Sequence, residues 1–457
     1  MVEQTATVPP AVEDSEEYEH SPVPPDRRKS LFTVSAVWFG FPMILTNAVP
    51  GGLVVAMLGF WKGLAAIVVA NVIMAVYVSL LSYRAGKTGK SFALQASETF
   101  GTMGYAIASG FLSTVVIGWF AFNTGATGAS LNAAFGWNET AVVAVAGIAF
   151  IAITYLGIRA LSVLGTIAAP LFIVAVIIAI VIASRTSDFS AVTSYAGVAG
   201  GAMTFGAAVT AIMATFADSG TMTADFTRWA KNGRHGVLAT LTAFPVASMV
   251  AQVSGAVLVA AGAIAAPAIA GGNFSPIISG EHNVVLNVFL VVFILINLGS
   301  VCTHCLYNGA LGWSHLTRST MRIVTLVLGL VGLVVAVLGA WSHFVSWLVL
   351  LGVVVPPIGA VLIADQIFLA RRHVGRPEQK LRATAFIAWA IGAGAALIAH
   401  YSAPGLSDAV VGLVVGCVAY LVLDRYATTN RSVTTDSSAT TDLDATDRDA
   451  ATVRIPA

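Results

Sequence analysis

Residues 215–229 read TFADSGTMTADFTRW and continue an apolar stretch that is long enough for a membrane helix. They place Asp218, Ser219 and Gly220 inside that predicted helix. An ionisable side chain within a bilayer is costly and almost always faces a protein interior or a water-filled cavity, and glycine is a weak helix former. The stretch therefore predicts a broken membrane helix with a hydrated pocket beside Asp218. The alternative is a structural Asp218 that is neutral or paired with a neighbouring helix.

The composition of the whole chain is that of a membrane protein. Of its 457 residues, 57% are hydrophobic and 10% are charged, whereas about a quarter of the residues in soluble domains are charged. Each apolar stretch of roughly 20 residues predicts one spanning helix. We expect an all-α polytopic membrane protein with 12 transmembrane helices, near residues 32–57, 63–83, 104–132, 140–158, 161–184, 197–224, 236–262, 284–312, 321–341, 344–368, 383–400 and 407–425.

The basic residues predict the orientation in the membrane. With the N-terminus in the cytoplasm, 18 of the 23 Lys and Arg residues fall at inner helix ends, and only Lys62 and Arg185 fall outside. This asymmetry predicts that both termini are cytoplasmic, and we expect the protein in the cell's inner (plasma) membrane. Because the basic residues mark topology, we expect no nucleic-acid partner. Residues 1–30 and 426–457 are polar, and we expect both to be disordered cytoplasmic tails.

A second interruption lies in the first predicted helix, which contains VWFGFPMILTNAVPGG (37–52). Pro42 has no N–H and its ring disrupts the helix. Five predicted helices separate the two interruptions, so each opens a block of five. Interrupted helices at matching positions of two halves indicate a transporter with its site near the membrane midplane. We expect a transporter domain over residues 31–425, with repeats at about 31–184 and 197–368 and two extra helices at about 383–425.

Several side chains near the two breaks are candidates for binding or proton transfer. Trp119 in GWF (118–120) lies at mid-depth, and Phe216 lies two residues before Asp218. Two rings beside one carboxylate suit a planar heterocycle that bears N–H groups. His304 also lies inside a predicted helix and is a candidate for carrying a proton. Asp225 and Arg228, three residues apart, predict an ion pair at the cytoplasmic end.

Four segments carry a resemblance to a known family: GTMTADFTRWAKN (220–232), GWF (118–120), LYNGALG (306–312) and VPPIGAVLIAD (355–365). They resemble the cytosine permease branch of the nucleobase–cation symporter family. The resemblance implies the LeuT-type fold of five plus five inverted repeats, with helices 1 and 6 broken and two helices added. It also implies uptake of nucleobases or related heterocycles driven by sodium or protons.

The resemblance also implies site residues. Trp119 and Phe216 would sandwich the substrate, and the chain from Phe216 to Gly220, with Asp218 and Ser219, would form a polar wall. A sodium ion would be held by the carbonyls of Gly40, Met43 and Asn297 and by the Ser300 hydroxyl, oxygen ligands that suit a hard cation. We expect no other metal and no organic cofactor.

Three residues depart from the family pattern. Val301 follows Ser300 where a second hydroxyl is usual, Val116 stands where cytosine permeases have glutamine, and Asp218 replaces a small hydroxyl residue. One hypothesis is that Asp218 carries the coupling proton in place of a complete sodium shell. The other is that Asp218 stays ionised and accepts hydrogen bonds from an amine-bearing substrate.

The function expected from these observations is secondary active import of a nucleobase, a purine or a pyrimidine such as cytosine, by proton or sodium symport. Alternatives within the same class are a hydantoin, allantoin or a thiamine-precursor pyrimidine. Alternatives from other classes are a passive channel and a polytopic membrane enzyme, although no catalytic constellation is visible in the sequence. We expect a monomer whose partners are the lipid bilayer and a small heterocyclic substrate.

Overall fold

The computed structural model describes residues 16–280, 283–339, 344–370 and 378–427, and every named element in these ranges is helical. The first half contains α1 (Leu31–Gly40), α2 (Leu45–Leu58), α3 (Phe60–Thr88), α4 (Phe92–Phe100), α5 (Tyr105–Phe135), α6 (Glu139–Tyr155) and α7 (Ile158–Ala183). The second half contains α8 (Phe205–Ala214), α9 (Ala217–Thr221), α10 (Ala224–Thr227), α11 (Gly233–Leu241), α12 (Ser248–Ala260), α13 (Pro267–Ala270), α14 (Ser275–Ser279), α15 (Val284–Thr317), α16 (Met321–Val337), α17 (Phe344–Val354), α18 (Pro356–Ile363), α19 (Ala383–Ser402) and α20 (Asp408–Ala427).

The described residues contain eight helices that are long and apolar enough to cross a membrane, or nine if the bent pair α1 and α2 is one span. A turn at Thr242–Ala247 joins α11 and α12 into one span, Gly233–Ala260, and Trp347–Phe368 forms another. Three shorter apolar helices, α6, α8 and α16, lie at the remaining predicted positions. An all-helical membrane protein is therefore confirmed, whereas the number of 12 spans stays a prediction.

The predicted break in the first span is present. The axes of α1 and α2 differ by 55° across it. Side chains from other helices satisfy the backbone groups that the break exposes: the Asn297 side chain of α15 donates to the Met43 carbonyl at 2.9 Å and accepts from the Leu45 N–H at 2.8 Å. Asn47 donates to the Pro42 carbonyl at 2.8 Å. The break is thus held by α15 as well as by the Pro42 ring.

The second break differs in position from the prediction. The sequence predicts it at Asp218–Gly220, but these residues lie inside the short helix α9, and the chain departs from helical geometry at Phe216 (φ −138°, ψ 17°). The Thr215 hydroxyl donates to the Ile212 carbonyl at 2.7 Å. Such local side-chain hydrogen bonds compete with the helical backbone pattern. The break therefore precedes the carboxylate by two to three residues.

Close helix packing brings the first half-helix against α7. A Cβ on Gly40 would lie 2.4 Å from the Cα of Gly165, so the two backbones are in contact. Small residues permit this approach, which is the usual way membrane helices gain packing energy. The contact positions α1, and with it the start of the break, against a continuous helix.

Residues 16–30 differ from the disordered tail that the sequence predicts, because they pack on the helix ends. The N–H of Val23 donates to Gly89 at 2.9 Å, and the N–H of Lys29 donates to Trp229 at 2.7 Å. The Glu17 carboxylate accepts from the Tyr307 hydroxyl at 2.8 Å and from the Ile158 N–H at 3.1 Å. We call this side of the molecule, where α3, α10 and α15 end and α7 and α16 begin, the basic face. Residues 1–15 and 428–457 of the predicted tails lie outside the described residues.

A candidate substrate cavity between two broken helices

The two breaks meet at a cavity with about 320 Å³ of space free of protein atoms. Side chains from both broken helices, from α5 and from α15 line it: Phe41, Ile44, Thr46, Asn47, Trp119, Asn123, Thr215, Phe216, Ser219, Val301 and Cys305. Pockets for small ligands are largely apolar and contain a few placed polar groups. The cavity therefore has the chemistry of a small-molecule site.

Three of the five predicted substrate residues line this cavity, namely Trp119, Phe216 and Ser219. Neighbouring rings fix the two aromatic side chains. Phe216 packs edge-on against Phe41 with ring centroids 5.2 Å apart, and Trp119 packs edge-on against Phe122 at 5.6 Å. Edge-to-face packing of this kind is favourable beyond simple burial. The cavity thus has two oriented aromatic walls.

Asp218 and Gly220 do not line the cavity. A Cβ on Gly220 would meet the side chains of Met74 and Val78 on α3, so Gly220 faces that helix. Asp218 is completely buried, and its Oδ1 accepts from the Ser219 N–H at 2.8 Å. Its Oδ2 has no hydrogen bond of ordinary geometry to any residue that the structure describes.

The Asp218 carboxyl group nevertheless lies directly behind the cavity wall. It interacts with the Trp119 side chain, and it is near enough to the Cys305 thiol to act on it electrostatically. Both of these residues line the cavity. Asp218 is therefore separated from the cavity by a single layer of side chains.

The sequence-based reasoning missed a set of amide and hydroxyl groups in the cavity. The Thr46 hydroxyl donates to Asn123 Oδ1 at 2.8 Å, and Asn123 Nδ2 donates to the Trp119 carbonyl at 2.9 Å. Gln252 Nε2 donates to Asn47 Oδ1 at 3.0 Å. One signal for Asn123 was available, because a residue four positions after Trp119 lies on the same helix face.

The candidate cation residues lie where the first break meets α15. The Met43 carbonyl accepts from the Asn297 side chain, and the Ser300 hydroxyl is buried without a hydrogen-bond partner among the described residues. An unpaired buried hydroxyl is costly unless something binds it. Gly40 lies at the end of α1 against Gly165. Val301, which lines the cavity, supplies no side-chain oxygen.

His304, the second candidate for proton transfer, does not line the cavity. Its Nδ1 is 2.5 Å from the Ser300 carbonyl, and its ring stacks on Phe41 with centroids 4.9 Å apart. The ring therefore packs α15 against the break in the first span. A role for His304 in proton transfer stays a prediction.

The predicted ion pair between Asp225 and Arg228 is absent, because the two side chains, both within the described residues, have other partners. Asp225 accepts from the Phe92 N–H at the start of α4 at 2.8 Å. The Arg228 guanidinium donates to the carbonyls of Glu17 at 2.7 Å and Tyr18 at 2.8 Å. Arg228 thus fastens the N-terminal segment to the basic face.

Comparison with known proteins identifies the family. The sequence model of a family described as permease for cytosine/purines, uracil, thiamine, allantoin matches residues 22–423. The chain belongs to this permease family. Among curated relatives, the cytosine permeases of Escherichia coli strain K12 and of Escherichia coli O157:H7 are each 26% identical over 416 residues, which cover 89% of this chain and 94% of each permease.

Solved transporter structures share the fold. Mhp1, a nucleobase-cation-symport-1 family transporter in a closed conformation with bromovinylhydantoin bound, superposes with a TM-score of 0.76 at 16% identity, covering 92% of this chain and 96% of Mhp1. A Na⁺-coupled sialic acid symporter in a substrate-bound outward-open state has a TM-score of 0.66 at 14% identity, covering 90% and 91%. The permease is therefore an integral membrane transporter with a LeuT-type fold, and not an enzyme.

Proposed function

We propose that this permease imports a small planar nitrogen heterocycle of the nucleobase class by cation symport, and that the substrate binds between Trp119 and Phe216. One observation carries the proposal: the cavity at the two helix breaks combines two aromatic walls with the side-chain amides of Asn47 and Asn123. Aromatic rings stack on a heterocycle, and amides match its donors and acceptors. The names of the related cytosine permeases support the same substrate class.

We also propose that the permease lies in the plasma membrane of the cell and that its basic face is turned toward the cytoplasm. The described basic residues Arg28, Lys87, Lys231, Arg318 and Arg322 lie next to helix ends on this face, as the positive-inside rule requires. Both termini would then be cytoplasmic. Twelve spans, arranged as two inverted repeats of five plus two helices, and a monomeric state complete the proposal.

For coupling, we favour a proton carried by Asp218. A fully buried carboxylate without a cationic partner is expensive as an anion, and protonation removes that charge. The position behind Trp119 would let the protonation state of Asp218 act on the substrate-binding wall. Sodium is the second candidate, and the unpaired Ser300 hydroxyl favours it.

Ligand binding tests the substrate class. The purified permease is heated with cytosine, uracil, adenine, hypoxanthine, allantoin, a hydantoin and a thiamine-precursor pyrimidine. A ligand at 100 times its Kd stabilises the folded state by about 2.7 kcal/mol, so at least one compound should raise Tm in a saturable manner. If none does, at pH 5 to 8 with or without sodium, the proposal is wrong.

Transport in liposomes tests the coupling. Asp218→Asn should abolish accumulation driven by a pH gradient while leaving exchange of internal for external substrate intact. Ser300→Ala is the matched variant, and it should leave proton-driven uptake unchanged. Uptake that requires a sodium gradient and fails in Ser300→Ala would instead establish sodium coupling. Equilibration without accumulation under either gradient would indicate a passive channel.

A further inference from the structure

A second concave site lies on the basic face and shares no lining residue with the substrate cavity. It encloses about 730 Å³ of space free of protein atoms between the end of α3, the start of α11 and the N-terminal segment. Its lining residues are Arg28, Tyr83, Lys87, Lys231, Asn232, Gly233 and Arg234. Four of the seven are basic and none is acidic. We call this site the Arg28 pocket.

The charges in the Arg28 pocket have no counter-charge within the described part of the chain. Lys87, Lys231 and Arg234 are exposed, and none has a carboxylate within 4 Å among the described residues. By contrast, Arg84 and Lys90 on the same stretch both pair with Glu98. At the end of α3, Arg84 and Lys90 are therefore neutralised by Glu98, whereas Lys87 is unpaired within the described residues and lines the pocket.

Arg28 is held in place without being neutralised. Its guanidinium donates to the carbonyls of Gly86 at 2.8 Å, Val23 at 3.3 Å and Lys231 at 3.4 Å. Carbonyl groups orient the guanidinium but carry no net charge, and burial lowers the pKa of Arg28. The pocket thus contains one cation held by carbonyl groups with three exposed cations around it, an arrangement that suits a phosphate group.

Tight packing of α3 against α11 forms the base of the Arg28 pocket. A Cβ on Gly86 would lie 2.6 Å from the Asn232 carbonyl oxygen, and one on Gly236 would lie 2.5 Å from the Ser82 carbonyl oxygen. The first turn of α11 starts at this base, where the Asn232 side chain accepts from the His235 N–H at 2.9 Å.

Apolar side chains continue from the pocket along the outside of both helices. On α3, Val76, Tyr83 and Lys87 are spaced so that they share one face, and on α11, Arg234, Leu238 and Leu241 do the same. Val76, Tyr83, Leu238 and Leu241 are all exposed. Each face is therefore basic at the pocket and apolar away from it. A phospholipid has this same order of phosphate and acyl chain, whereas a soluble phosphate compound has no group for the apolar part.

We propose that the Arg28 pocket binds the phosphate headgroup of an anionic phospholipid, with its acyl chains along the exposed faces of α3 and α11. Basic pockets between membrane helices on the cytoplasmic side are suited to such headgroups. The bound lipid would bridge three parts of the molecule: the N-terminal segment through Arg28, α3 through Lys87 and α11 through Arg234. The lipid would therefore stabilise the packing of residues 16–30 on the basic face.

Native mass spectrometry of the full-length permease tests this site directly and does not depend on the transported substrate. The protein is titrated with phosphatidylglycerol, cardiolipin or phosphatidylcholine of matched chain length. The wild type should retain the two anionic lipids in preference to phosphatidylcholine. Each basic residue near an anionic headgroup contributes roughly fivefold in affinity, so Lys87→Gln combined with Arg234→Gln should weaken anionic lipid binding about 30-fold.

The control removes the same charge elsewhere on the basic face. Arg159→Gln combined with Arg322→Gln changes two exposed basic residues outside the pocket, and anionic lipid binding should stay within about twofold of the wild type. Equal losses in the two double variants, or no loss in either, would refute a defined site. Displacement of the lipid by inorganic phosphate at the same concentration would also refute the proposal, because the pocket would then be a site for a free anion.

Discussion

Replacing Arg228 with Met should release residues 16–30 from the basic face. The Arg228 side chain is fully buried and donates to the carbonyls of Glu17 at 2.7 Å and Tyr18 at 2.8 Å. Met retains an unbranched apolar side chain of similar length, so the packing changes less than the hydrogen bonding. The substitution removes both donors and leaves two carbonyls without partners.

The size of the effect follows from these two bonds. A hydrogen bond to a charged group contributes about 1.5–3 kcal/mol, so the pair contributes at least about 3 kcal/mol to docking of the segment. This free energy corresponds to more than a hundredfold in the docking equilibrium. Tyr307→Phe removes only the hydroxyl that donates to Glu17 at 2.8 Å, and it should weaken docking by about tenfold.

Amide hydrogen exchange measures docking at defined positions. The N–H groups of Val23 and Lys29 bond to Gly89 and Trp229 in the docked segment, so their exchange should accelerate by the same factors. Arg322→Met is the matched control, because Arg322 stacks on Tyr155 at 5.6 Å. Wild-type exchange of Val23 and Lys29 in both Arg228→Met and Tyr307→Phe would refute the assignment. Unchanged exchange of the α5 amides shows that the variants are folded.

Three further predictions concern the cavity, the N-terminal segment and helix packing. Trp119→Ala should weaken heterocycle binding about 5- to 150-fold, because roughly 1–3 kcal/mol of stacking is lost; calorimetry measures the Kd. Trp61→Ala, which removes an exposed ring, is the control. Equal Kd values for the two variants would exclude Trp119 from the site. Burial raises the pKa of Glu17 above its ordinary value, so the docked segment binds a proton more tightly than the released one. Docking is then strongest below the ordinary Glu pKa and weakens as pH rises through the raised pKa. The protection of the Val23 amide from exchange should therefore fall as pH rises in the wild type, and Glu17→Gln should remove this pH dependence. The same pH profile in the variant and the wild type would contradict the role of Glu17. Gly40→Ala should lower the free energy of unfolding by about 1–3 kcal/mol, because the added methyl group forces α1 away from Gly165, and Tm should fall. Gly394→Ala is the control: the space around Gly394 is open, so this variant should be neutral or stabilising. The same change in Tm in both variants would argue against close packing of α1 on α7.

The sequence alone determined the features that depend on local chemistry. The length and hydrophobicity of the apolar stretches predicted membrane helices, because a helix must satisfy its own backbone within lipid. Pro42 predicted the first break for the same local reason. The resemblance to the permease family implied that Trp119 and Phe216 bind the substrate, and the structure places both on one cavity.

Only the tertiary structure decided which polar groups face the cavity and which face protein. Asp218 lies behind Trp119 rather than on the cavity surface, whereas Asn47 and Asn123 reach it, because contacts between helices set the rotation of each one. Residues 16–30 have a composition typical of a disordered tail, and they are ordered through partners that are distant in sequence: Arg228 is 211 positions from Glu17, and Tyr307 is 290 positions from it. A composition contains no information about such partners, since they become neighbours only when the helices have assembled.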